Sequence, residues 1–154
     1  MGEFSYTETD GHVLTVTLNR PERMNALHSS AHFELDKVFN DFEADPDLWV
    51  CILTGAGDRA FSAGNDLKFQ AEGGTRDKPK SGFGGITERF DRTKPMIAAV
   101  NGVAMGGGFE LALACDVIIG AENARFALPE PRVGLAALAG GLHRLPRAIP
   151  QKKA

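Results

Sequence analysis

The stretch Lys94–Asp116, KPMIAAVNGVAMGGGFELALACD, decides the fold. Lys94-Pro95 precedes a short apolar run, Met96–Val100, which reads as a buried strand. A turn rich in glycine follows, and Gly107–Ala114, apolar nearly all round, predicts a buried helix. Glycines without a Cβ let a second backbone or a ligand come close. The first amides of a helix have no internal partner and lie at the positive end of its dipole. The turn is therefore read in two ways. It cradles an anion or developing oxyanion, or it permits tight helix–strand packing and nothing more. The G-x3-GGG spacing is not a Rossmann fingerprint, and no Lys-Ser/Thr follows as in a P-loop.

Moving outward, Phe4–Thr9 and His12–Asn19 alternate with period two around Asp10-Gly11, which predicts a hairpin. Arg20-Pro21-Glu22-Arg23 breaks the second strand. Ser29 or Ser30 is placed as the cap of a helix running to about Asp45, with Phe33, Leu35, Val38, Phe39 and Phe42 as its apolar stripe. Asp45-Pro46 ends it. Trp49–Thr54 and Asp116–Gly120 read as two further buried strands, and Gly140–Ala148 as a last helix. Strands alternating with helices give an α/β layered fold of one domain over residues 1–154. Gln70–Gly85, rich in Gly, Lys and Pro, is either a loop over a site or a tolerated insertion.

Composition removes several function classes. A net charge of -3 argues against nucleic acid as a partner, since phosphate neutralisation needs a basic face. The basic cluster Arg76, Lys78 and Lys80 is small. Cys51 and Cys115 lie in apolar runs without metal spacing or a disulfide framework, and read as inert core thiols. The opening MGEFSYTETDGH is neither a secretory signal nor a transit peptide, and Tyr6 breaks the myristoylation pattern. No run reaches transmembrane length. The expectation is a reducing, cytoplasmic setting with no membrane partner and no metal.

Two carboxylates stand out. Glu110 sits in the first turns of an otherwise apolar helix. It is either exposed at the rim and favoured by the dipole, or held in a cleft with a raised pKa suited to proton transfer. Glu130 lies between Pro129 and Pro131, which fix its local backbone. The alternative is a solvated turn residue. In FSAGNDLK (Phe61–Lys68), Ala63-Gly64 leads either into a short helix beginning near Asn65 or Asp66, whose amides can supply a second donor to the same oxyanion, or into an Asp-capped loop with no such role.

Together, FSAGNDLK, the Lys94–Asp116 stretch, and RFALPE (Arg125–Glu130) followed by Gly134 and Gly140-Gly141 resemble the crotonase (enoyl-CoA hydratase/isomerase) superfamily. The resemblance runs from the hairpin and NRPERMNAL (Asn19–Leu27) to GGLHRLPR (Gly140–Arg147). Around GITERF (Gly85–Phe90) and GGGFELALACD the sequence is similar to carnitinyl-CoA dehydratases. The resemblance implies the ClpP-like ββα spiral core of crotonases. It implies a thioester carbonyl held between the Asn65 and Gly107 amides, with Glu110 and Glu130 flanking the substrate double bond. It also implies CoA contacts at Arg23, Ala26, Ala63, Asp66, Leu67 and Lys68. The implied reaction is hydration or dehydration of a 2-enoyl-CoA, with CoA as substrate handle and no cofactor. Isomerase, decarboxylase and thioester hydrolase chemistries are the family's alternatives.

Two features depart from the family pattern. Ala137-Leu138 stands where typical hydratases carry Pro-Gly, at the position that helps hold water. The family's C-terminal helices, which complete the acyl pocket and build trimers or hexamers, lie beyond this sequence. The expectation is therefore an N-terminal core truncated before that helical region. An inactive fragment, or one that assembles only with full-length subunits, is the alternative. Acyl-chain specificity is not encoded legibly.

Overall fold

The computed structural model describes residues 2–154. β1 (Ser5–Asp10) and β2 (Val13–Leu18) form the expected antiparallel hairpin, closed by Gly11-His12 with Gly11 at φ +55°. β3 (Val50–Gly55), β5 (Met96–Val100) and β7 (Val117–Gly120) add in parallel, giving a five-stranded sheet of order β1-β2-β3-β5-β7. Three short strands, β4 (Ala60–Ser62), β6 (Val103–Met105) and β8 (Arg125–Ala127), form a second parallel sheet in that order.

Helices α1 (Ser29–Ala44), α2 (Leu67–Ala71), α3 (Gly107–Ala114) and α4 (Gly141–Ala148) complete the chain. After the hairpin and α1, one unit recurs three times: a long strand, a short strand in the second sheet, then a helix. β3-β4-α2, β5-β6-α3 and β7-β8-α4 are its copies. This is the ββα core of the crotonase fold.

The core lies where α1 meets the large sheet. Leu35, Phe39 and Phe42 pack with Val16, Leu18, Leu53 and Val100, all essentially without solvent contact. Each such side chain stabilises the fold by about 1.5–3 kcal/mol through removal of apolar surface from water. Phe33, expected in the stripe, is 48% exposed on the outer face of α1. The helix cap also differs: His28 holds the N-cap position with extended backbone and no side-chain bond, while Ser29 and Ser30 are already helical. Asp45 ends α1 in extended geometry ahead of Pro46, as the steric demand of proline requires.

The expectation of a buried last strand fails at β7, all of whose residues are exposed. It is the edge of the sheet, and Ile118 faces only an open groove shared with Leu113, Leu145 and Ile149. Both cysteines are free thiols, and burial pushes their pKa values up.

Candidate active site

Two backbone turns meet at the start of α3. The Arg20–Leu27 loop shapes the first. Asn25, itself in left-handed backbone, accepts from the Arg20 amide and donates to the Ala56 and Ala60 carbonyls. The loop then pairs with FSAGND edge to edge. Ala63 N–H donates to Met24 O, Leu27 N–H to Gly64 O and Asp66 N–H to Leu27 O, each at 2.8 Å. Asn65 N–H is skipped by this ladder. Gly107 N–H, the first amide of α3, has no helical acceptor either. Among the described residues neither N–H donates to a protein group.

The close approach of these turns requires glycine. A Cβ on Gly64, which is at φ +87°, would lie 2.8 Å from the Gly107 nitrogen. A Cβ on Gly108 would lie 2.0 Å from the Ser62 carbonyl oxygen. β4 and α3 therefore touch main chain to main chain. The triple glycine thus permits tight packing of α3 on β4, and the Gly107 amide at its centre donates to no protein group among the described residues.

Glu110 is 3% exposed. Its Oε1 accepts from the Gly141 N–H at the start of α4 at 2.9 Å. Burial raises its pKa, the Glu130 charge adds to the rise, and the Gly141 and Ala139 amides and the Arg144 charge oppose it. The surface-rim reading is thus overturned. Glu130 opens a 3-10 turn, Glu130–Val133, with Pro129 as its N-cap. Its carboxylate reaches back to α3: a Cβ on Gly106 would lie 2.9 Å from Glu130 Oε1. Its Oε2 is buried without a hydrogen-bond partner among the described residues.

Asn65, Gly107, Glu110 and Glu130 line one cavity of about 220 Å³. A second cavity of about 260 Å³ shares Asn65, Gly107 and Glu130 and runs past Ala63, Leu67 and Arg132. The four central residues inferred from sequence are therefore together, with Ala63 and Leu67 beside them. The other expected CoA contacts are placed differently. Arg23 is exposed on the 3-10 turn Pro21–Arg23, and Ala26 is buried. Neither lines either cavity. Lys68 is exposed on α2, 3.9 Å from Glu72. The Asp66 carboxylate turns inward: it caps α2 by accepting from Phe69 N–H and pairs with Arg20 at 3.0 Å. Although burial opposes it, the Phe69 amide and Arg20 hold the Asp66 pKa below its usual value.

Several lining residues carried no sequence signal. His28 and His32 face the cavity from α1 and its cap, beside Phe69 and Phe83. His32 accepts from Gly84 N–H at Nδ1, and burial and the neighbouring His28 lower its pKa to about 4. It is neutral, with its proton on Nε2. Thr75, Arg76 and Lys78 also reach the wall, so Gln70–Gly85 lies over the site. The turn Phe83–Gly85 anchors this loop on α1, where a Cβ on Gly85 would lie 2.5 Å from Asp36 N. Leu138, one of the two residues that depart from the expected Pro-Gly, lines the cavity and is otherwise exposed.

Among the described residues no helix is long and apolar enough to cross a membrane. No group of acidic, His or Cys side chains among them is arranged to hold a metal.

Known proteins agree with this architecture. A carnitinyl-CoA dehydratase of Escherichia coli K12 is 50% identical over 152 residues, covering 97% of this chain and 58% of its own length. Thus the chain spans under three-fifths of that curated relative. The structure of a carnitinyl-CoA dehydratase from Mycobacterium avium 104 superposes with a TM-score of 0.93 at 41% identity, covering 99% of this chain and 60% of that one. An enoyl-CoA hydratase from Mycobacterium tuberculosis H37Rv gives 0.91 at 41% identity, covering 99% and 59%. The family description "Enoyl-CoA hydratase/isomerase" matches residues 8–154, so by sequence and fold alike the chain belongs to that family.

Proposed function

We propose that this chain carries the reacting centre of a hydratase, adding water to, or removing it from, a 2-enoyl-CoA thioester. The observation that carries the reading is the convergence of Glu110, Glu130 and two unpartnered amides on one cavity. The thioester oxygen sits between the Asn65 and Gly107 N–H groups, which stabilise the enolate as charge moves onto it. One such donor contributes about 3 kcal/mol to the transition state. Glu110 takes a proton from water as the oxygen attacks the β-carbon. Glu130 gives a proton to the α-carbon as the enolate collapses. Dehydration runs the same steps backward. No cofactor enters these steps. CoA lies along the second cavity, and its binding energy holds the acyl group in place.

The test is loss of enoyl absorbance on adding crotonyl-CoA to the purified chain, with Glu110→Gln and Glu130→Gln measured beside it. Each substitution is expected to lower kcat by about 10²–10⁴-fold. Loss from only one of them favours double-bond isomerisation. Absence of turnover in the parent chain favours a second reading, an inactive fragment, or one that persists only by assembling with full-length crotonase subunits. The exposed Val117, Ile118, Ile119 and Leu142 support that reading, and size-exclusion of the purified chain checks it.

A further inference from the structure

We propose that Arg144 is a positioning residue for Glu110: its guanidinium fastens the Ala139–Gly141 turn, which delivers an amide to the Glu110 carboxylate, onto the segment around Thr87. The inference rests on the hydratase reading for its kinetic arm and on geometry alone for the rest.

Arg144 belongs to α4, and its fork reaches in two directions. One terminal nitrogen donates to Thr87 O at 2.8 Å and the other to Ala139 O at 3.3 Å. The Phe90 ring lies 5.8 Å from the guanidinium carbon. Gly140 makes room for this path, since a Cβ there would lie 2.0 Å from the guanidinium nitrogen. The turn so held ends at Gly141, whose N–H meets Glu110 Oε1. A planar fork that satisfies two carbonyls ties the turn to the Thr87 segment in a way that an ammonium does not.

Charge gives Arg144 a second effect. The groups that bear on Glu110 are Glu130, Arg144 and the Gly141 and Ala139 amides. Those that bear on Arg144 are Arg92, Glu110 and Cys115. Within this set Glu130 works against ionisation of Glu110, and Arg144 works for it. Removing the cation therefore moves Glu110 further toward its protonated form, while removing only the fork loosens the turn.

Two variants separate these effects. Arg144→Met keeps most of the stem and loses both charge and fork. Arg144→Lys keeps the charge. The Glu110 carboxyl is followed by NMR titration of its side-chain carbon, which needs no turnover. Its midpoint is expected to rise in Arg144→Met and to return toward the parent value in Arg144→Lys. With crotonyl-CoA, kcat is expected to fall about 10- to 100-fold in Arg144→Met with KM little changed. The acid limb of the pH profile is expected to move to higher pH. Arg144→Lys is expected to restore the limb and only part of kcat. An unmoved Glu110 midpoint in Arg144→Met overturns the proposal, as does a loss confined to thermal stability or to KM. A parent chain without turnover counts against the hydratase reading alone, because the titration still decides the role of Arg144.

Discussion

The two flanks of the large sheet are written in similar apolar sequence and meet opposite surroundings. On one flank Leu14, Val16 and Leu18 of β2 and Cys51 and Leu53 of β3 are buried, with α1 packed across them. On the other, Val117, Ile118 and Ile119 of β7 are exposed, Ile119 by 59%. β3 reads VCILTG and β7 reads VIIG, each an apolar run ending in glycine. The difference comes from which element follows in space, since α1 packs over the hairpin side while β7, the sheet's edge, borders only an open groove beside α3 and α4. Strand propensity reports fit to a pleated surface, and burial is set by the neighbours.

Three measurements would break or sharpen this contrast. Phe39→Ala on the covered flank is expected to cost about 3–5 kcal/mol in denaturant unfolding, through lost transfer energy and the cavity left behind. A cost near that of a surface change would mean the core is not where α1 meets the sheet.

The second, smaller effect comes from Glu110, buried on α3. Its folded pKa is raised chiefly by burial, so the folded state holds the proton more tightly than the unfolded one. Stability should then fall as pH rises from the usual carboxylate pKa through the raised one. Groups whose pKa is lowered, such as Glu43 with its Lys94 and Thr93 donors, act in the opposite sense. Comparing the melting temperatures of the parent and Glu110→Gln across that pH window isolates the one group. The variant is expected to gain on the parent as pH increases. A constant difference would mean that Glu110 titrates alike in both states.

The smallest effect is expected on the bare flank. Ile119→Ser should change unfolding free energy by no more than about 0.5 kcal/mol. It should also reduce self-association in size-exclusion, because it removes part of an exposed apolar patch. A large destabilisation would show that β7 is buried after all.

Long periodic segments were legible in the sequence because their patterns span several repeats. The hairpin, α1, β3, β5 and α3 all stand where alternation, helical stripe or apolar run places them. β4, β6 and β8 have three residues each, too few for a period to declare itself. Phe33 shows the limit within a helix, since five apolar positions cannot all face one sheet. At the site, the juxtaposition of Asn65, Gly107, Glu110 and Glu130 followed from motif resemblance. The Gly141 amide that holds Glu110 did not, because a backbone donor has no residue type to reveal it. His28, the N-cap of α1, and His32, one turn further on, both face the cavity, a placement that residue type alone does not reveal.

The contact between β4 and α3 has a mechanical consequence. Because Gly108 meets the Ser62 carbonyl with no side chain between them, the gap separating the two free N–H groups is gauged by covalent bond lengths and peptide planes. The spacing is set by main chain against main chain, and an added carbon at Gly64 or Gly108 would force the two segments apart.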